Sequence, residues 1–310
     1  MRKAFVLAIS EILGANEKAL LLIGDIGAYL LRDVTAKHPS RVINMGIAEA
    51  GMMSAAVGLA LEGWVPFVYT ITPFVTARAY DQIRAGVGYH EANVKIVGVG
   101  SGLSYGALGG THHSIEDIAM MRSIPGMTVI SPSDGPETIQ ATKATANHFG
   151  PVYLRLMLNV EPLVTDTKRQ KFKIGQAEKL SDGKDLTIIA TGELVREAVE
   201  TKAMLQRDGI YASVINMSTI KPIDKKIIES EMGKTSIIFT IEEHNVIGGL
   251  GSAISEVISE SKHKIKPRLV RLGIQDKFTN KYGHKHELYE YLHLDSHSLY
   301  KKIKKEIKNG

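Results

Sequence analysis

Short runs rich in Val, Ile and Leu alternate along the chain with longer stretches whose apolar residues recur at helical spacing. Leu20–Gly24, Arg41–Asn44, Pro66–Thr70, Val94–Val99, Met127–Ser131 and Val152–Leu156 read as strands. Ala48–Leu61, Pro73–Val87, Ile115–Arg122 and Pro136–Asn147 read as helices, and Phe5, Ile9, Ile12 and Leu13 mark an amphipathic helix before them. This alternation predicts an α/β fold with a parallel sheet covered on both faces. A polar stretch from Asn159 to about Lys184, containing Thr165-Asp166-Thr167-Lys168-Arg169-Gln170-Lys171, reads as a linker. A second, smaller α/β pattern follows. Its strands are Leu186–Ala190, Ala212–Asn216, Ile237–Ile241 and Arg268–Leu272. Its helices are Leu194–Arg207, Lys225–Met232, Leu250–Ser259 and Ser296–Ile307. The expected division is a first domain over 1–160, a linker over 161–184 and a second domain over 185–310, with no internal repeat.

Composition narrows the chemistry. With 44% hydrophobic and 23% charged residues over 310 positions, the chain has the make-up of a globular protein. Cysteine is absent, which excludes disulfides, a thiolate nucleophile and cysteine-based metal sites. The net charge of +5 is concentrated late, much of it in Lys301-Lys302-Ile303-Lys304-Lys305-Glu306-Ile307-Lys308. That tail reads as the solvated face of a last helix. No basic face with interleaved aromatics suggests a nucleic-acid partner. No stretch reaches the ~18 apolar residues of a membrane span. Met1–Ile9 starts like a signal peptide, but Glu11 interrupts it and no cleavage site follows, so the expected address is cytoplasmic.

In open α/β sheets ligands sit beyond the carboxyl ends of the strands, so the residues just after each run carry the interest. Glu49 opens the helix Ala50–Leu61, which carries no charge on any face and should be buried, against a partner chain. Its carboxylate is either a first-turn residue favoured by the helix dipole or a group that shares a proton with a ligand. Ile71 and Phe74 follow another strand, and an aromatic there is core filler or a stacking surface. Asp25 follows the first strand as a turn residue or a site acid. Gly98 to His113 is glycine-rich, as suits close approach of backbone to a ligand. Its His112-His113 pair lacks a third metal ligand at usable spacing. Arg155, near the end of an apolar strand, calls for an anion or an interdomain ion pair.

Seven segments, in order, carry a resemblance. They are Gly-Ile-Ala-Glu (46–49), Pro-Phe with Arg-Ala-Tyr-Asp-Gln-Ile (73–74, 78–83), Gly-Gly-Thr-His-His-Ser-Ile-Glu-Asp (109–117) and Arg-Ser-Ile-Pro-Gly-Met (122–127). Ser-Pro-Ser-Asp (131–134), Ala-Thr-Gly-Glu (190–193) and Glu-Glu-His-Asn…Gly-Gly-Leu-Gly-Ser (242–252) complete the set. Together they resemble the C-terminal half of a transketolase, and are similar to 1-deoxyxylulose-5-phosphate synthase. The resemblance implies a parallel-sheet domain that binds the pyrimidine of thiamine diphosphate, followed by a smaller α/β C-terminal domain. It implies that Glu49 hydrogen-bonds the pyrimidine N1′, that Phe74 stacks on the ring, and that Ile71 and Asp25 line the cofactor pocket. It further implies that His112 contacts a substrate hydroxyl or oxyanion, that Arg155 holds a substrate phosphate, and that His113, standing where the family usually has Gln, also binds substrate. Two positions depart from the pattern: Gly100 where transketolases place His, and Leu108 where both families place Asp. Those side chains grip sugar hydroxyls, so the donor and acceptor are left open.

The Gly-Asp-Gly…Asn motif that holds the diphosphate through Mg²⁺ or Ca²⁺ is absent. The resemblance therefore implies a partner, an N-terminal subunit carrying the diphosphate and metal site, in an α2β2 assembly. The expected activity is transfer of a two-carbon ketol unit from a ketose or ketose phosphate to an aldehyde. The alternatives are the β subunit of a 2-oxo-acid dehydrogenase E1 and a non-catalytic paralogue that binds a thiamine enzyme.

Overall fold

The computed structural model describes residues 1–158, 163–165 and 171–308. The chain opens with α1 (Arg2–Ala15), whose Phe5, Ala8, Ile9, Ile12 and Leu13 are buried along one face. β1 (Ala19–Ile23) is buried at every position, as a strand covered on both faces must be. α2 (Ala28–Lys37), β2 (Val42–Asn44), α3 (Glu49–Leu61) and β3 (Val65–Ile71) continue the alternation. Where periodicity predicts one helix over Pro73–Val87, the chain makes two wide helical segments, Phe74–Arg78 and Gln82–Gly88. Widened turns of this kind are frequent at functional sites. β4 (Lys95–Val99), α4 (Asp117–Ser123), β5 (Thr128–Ile130), α5 (Gly135–Asn147) and β6 (Val152–Leu156) complete the first unit.

The second unit contains β7 (Glu178–Ser181), β8 (Leu186–Ala190), α6 (Leu194–Arg207), β9 (Ala212–Asn216) and β10 (Thr219–Lys221). It continues through α7 (Lys225–Met232), β11 (Ile237–Asn245), α8 (Leu250–Glu260), β12 (Arg268–Ile274), α9 (Lys285–Leu292) and α10 (Ser296–Lys308). The amphipathic tail helix is present: α10 buries Leu299 and Ile303, packs on α6 and leaves most of its lysines outward.

Seven strands form the first sheet in the order β10-β5-β6-β4-β3-β1-β2, all parallel except β10, which pairs antiparallel with β5. One face packs on α1, α2 and α5 and the other on α3, α4 and the wide segments. Five strands form the second sheet, β12-β11-β8-β9-β7, parallel except at β7.

Two expectations about domain limits change. The span 161–184 is not a plain linker, because it contains β7. Asp134 accepts hydrogen bonds from the backbone of Val164 and Thr165, and Phe172 and Ile174 pack against the first core. Residues 159–162 and 166–170, with the boundary at 160/161, lie outside the described residues. The limit at 185 is also crossed: β10 leaves the second unit to extend the first sheet. Among the described residues no helix is long and apolar enough to cross a membrane. α3 buries Met52, Met53 and Ala56 on its own sheet and leaves Gly51, Ser54 and Leu61 exposed.

Candidate active site

Because β1, β2, β3, β4 and β6 run parallel, the segments that follow them meet at one edge of the sheet. After β2, Asn44 binds the turns together. Its Nδ2 donates to Asp25 Oδ1 at 2.9 Å, and its Oδ1 accepts from the backbone of Asp25 at 3.2 Å and of Gly46 at 3.0 Å. Asp25 itself is exposed, with φ +52°. This turn delivers Glu49 to the first position of α3, where its side chain is 1% exposed.

Arg78, on the wide segment after β3, donates from Nη1 to Glu49 Oε2 at 2.9 Å. Its guanidinium lies 4.4 Å from the Phe74 ring centroid. A flat, N–H-bearing cation thus rests on the Phe74 face while bonding the Glu49 carboxylate. Glu49 Oε1 has no hydrogen-bond partner among the described residues. This donor set suits an amino-substituted heteroaromatic ring: a carboxylate with a free oxygen, beside an aromatic face. Ile71, half-buried, ends β3 just before these residues. Sequence reasoning assigns Arg78 no role, although it lies inside a quoted motif; nothing in the spacing says that it folds back on Glu49.

The loop after β4 brings His112 beside Phe74, with ring centroids 5.2 Å apart and edge-on. Tyr105 meets His112 at 5.8 Å, also edge-on. The Thr111 hydroxyl lies 2.9 Å from His112 Nδ1, which leaves Nε2 open. His112 is half-exposed.

The other two expected substrate ligands are buried. His113 is 3% exposed, with Nε2 3.3 Å from the Gly106 carbonyl. Burial lowers its pKa, more than the Gly106 contact raises it. It is a packing group under the loop. Arg155 is 2% exposed and ion-paired with Asp117 at 2.7 Å. It also donates to the carbonyls of Ser114 and Glu243. Burial alone would raise the Asp117 pKa, but Arg155 and further bonds outweigh it and hold the carboxyl below its ordinary range. In this structure Arg155 makes an ion pair inside the first unit, and its bond to the Glu243 carbonyl is what reaches the second. A cation at a strand end reads the same in sequence whether its anion is a ligand or a distant aspartate.

The same network fixes the glycine-rich loop from the second unit. Glu243, on β11, accepts the Leu103 N–H at 2.9 Å. Gly102 above it has φ +61°, and a Cβ there would strike the Glu243 carboxylate, so glycine is required. Burial pushes Glu243 up to about 7, against the opposing effect of Arg155.

Comparison with known proteins accords with this geometry. Residues 1–158 match the family described as transketolase, pyrimidine binding domain, and residues 175–299 match transketolase, C-terminal domain. The chain is 37% identical over 302 residues to an apulose-4-phosphate transketolase subunit of Phocaeicola vulgatus, covering 97% of this chain and 95% of that one. It is 37% identical over 279 residues to a 6-deoxy-6-sulfo-D-fructose transketolase subunit of a Clostridium species, covering 90% and 85%. Among solved structures it superposes on a split gene transketolase, described as an inactive β4 tetramer, with a TM-score of 0.89, 35% identity and coverage of 99% and 97%. The chain belongs to the transketolase family and comprises its pyrimidine-binding and C-terminal domains.

Proposed function

We propose that this chain is the C-terminal subunit of a split, thiamine-diphosphate-dependent transketolase that moves a two-carbon ketol unit from a ketose or ketose phosphate to an aldehyde. The observation that carries the reading is the Glu49 carboxylate, buried at the head of α3, with one oxygen unclaimed and a planar cation already held between it and Phe74. When bound, thiamine diphosphate supplies the nucleophilic carbon that opens the ketose beside its carbonyl. This chain's residues do the rest of the work on their side. Glu49 holds a proton at the pyrimidine nitrogen N1′. Phe74 packs on the ring and Ile71 closes the pocket beside it. Asp25, fixed by Asn44, lines the same edge. His112 presents Nε2 to a substrate oxygen, with its Nδ1 held by the Thr111 hydroxyl.

The diphosphate and its Mg²⁺ or Ca²⁺ belong to an N-terminal partner subunit, because no Gly-Asp-Gly occurs in this sequence. An α2β2 assembly follows, with the exposed small-residue face of α3 as a contact. The description of the split-gene neighbour as an inactive β4 tetramer supports the view that such a chain needs its partner. The differing sugars named for the two relatives support a shared reaction with a variable substrate.

The test is to co-express the chain with its N-terminal partner and assay ketol transfer across a panel of ketoses and aldehydes. Transfer by the pair, lost in Glu49→Gln, is expected. Oxidative decarboxylation of a 2-oxo acid in place of transfer would favour the reading as the β chain of an E1 dehydrogenase. Cofactor binding without any turnover would favour the non-catalytic paralogue.

A further inference from the structure

The loop from Gly100 to His113 is fully described, so each of its polar side chains can be followed to its partner. Ser101 Oγ donates to Met157 Sδ at 3.0 Å, and Ser104 Oγ lies 3.7 Å from the same sulfur. Thr111 Oγ1 is engaged with His112 Nδ1, and His113 is buried against Gly106. Ala107 and Leu108, which face outward, carry no polar group, and Leu108 is 52% exposed. Two groups remain uncommitted: His112 Nε2 and the Tyr105 hydroxyl, which takes no hydrogen bond among the described residues.

These two belong to touching rings. Gly100 has φ +72°, and a Cβ there would collide with the Tyr105 ring. The tyrosine therefore fills the space above residue 100 and lies edge-on to His112, which also meets Phe74 edge-on. Burial raises the Tyr105 pKa, more than Arg2 lowers it, so the phenol is a neutral hydrogen-bond donor at neutral pH.

We propose that Tyr105 is a second substrate-binding and specificity-determining residue of the site, donating its phenolic hydrogen bond to a carbonyl or hydroxyl oxygen of the sugar held beside His112. This rests on the transketolase reading above. A substrate that presents an oxygen to both groups is selected. One that lacks it forfeits that bond, which is how a polar pocket discriminates.

The experiment uses the assembled two-subunit enzyme with thiamine diphosphate and Mg²⁺, assayed with the best ketose of the panel. Tyr105→Phe removes only the hydroxyl. It should raise the ketose or aldehyde KM about tenfold, the weight of one hydrogen bond, with unchanged cofactor affinity. Tyr105→Ala also empties the space against His112, so kcat should fall as well as KM rise. Circular dichroism and cofactor titration report that each variant is folded and loaded. A Tyr105→Phe enzyme with wild-type KM and kcat for every substrate overturns the proposal and leaves the transketolase reading intact. A wild-type complex that binds cofactor yet transfers no ketol unit overturns both.

Discussion

Two arginine–carboxylate pairs in this molecule have nearly the same geometry and opposite settings. Arg78 meets Glu49 at 2.9 Å and Arg155 meets Asp117 at 2.7 Å. The carboxylates are equally hidden, but the Arg78 side chain is 49% exposed and Arg155 only 2%. Arg78 has one face on Phe74 and stays half in water. Arg155 spends its remaining donors on Ser114 and Glu243 and has no such exposure. Distance alone therefore does not separate a site from a strut; the fate of the cation's other donors does.

The two pairs should part most widely when a carboxylate or its cation is removed. Glu49→Gln in the assembled enzyme should lower ketol transfer by about 100- to 10,000-fold, the usual range for loss of a proton-transfer group, while urea unfolding of the chain barely moves. Arg155→Met should do the converse to the fold. It leaves the Asp117 charge buried and unpaired, at a cost of about 3–5 kcal/mol in the same unfolding measurement. Arg78→Met also strands a hidden carboxylate, but the Arg78 side chain is 49% exposed and water reaches the pair, so the cost should be smaller, about 1–2 kcal/mol. Equal stability loss in the two arginine variants would erase the distinction.

Phe74→Ala comes next. Removing the ring face should weaken thiamine-diphosphate binding about tenfold by calorimetry on the complex. The smallest effect concerns pH. Burial holds Glu243 up to about 7 when folded, above the ~4.3 of an unfolded glutamate. The folded chain therefore keeps the extra proton. That contribution is complete below the unfolded value and is lost as pH climbs through the folded one. Asp117, held low, works in the other sense and loses its contribution on acidification. Glu243→Gln stays neutral and still accepts the Leu103 N–H, so it should flatten the fall in stability between about pH 4 and 7. Glu242, likewise pushed to about 7, leaves a residual slope. An unchanged slope would show that Glu243 does not carry this pH dependence.

Most strands and long helices are legible because their burial is written as periodicity: β1 is buried throughout, and α1 along one stripe. Elements with little to bury are not. β7 is half-buried at all four positions, with the polar sequence Glu-Lys-Leu-Ser, and β10 is three residues at a sheet edge. α9 buries only Leu288 and Tyr289. At the site, Glu49, Phe74 and His112 stand out because each follows a strand or opens a helix. The partners Arg78, Tyr105 and Asp117 depend on how a wide helical turn and a glycine loop fold back, which no local pattern encodes. His113 looks like its neighbour in sequence and differs only in pointing under the loop.

The decisive measurement is calorimetric titration of thiamine diphosphate in the presence of Mg²⁺, run on this chain alone and on its complex with the N-terminal subunit. A site shared between chains predicts weak or undetectable binding to the isolated chain and tight binding to the complex, with affinity reduced by Glu49→Gln. Tight binding to the isolated chain, or a complex indifferent to the residue at 49, would contradict it.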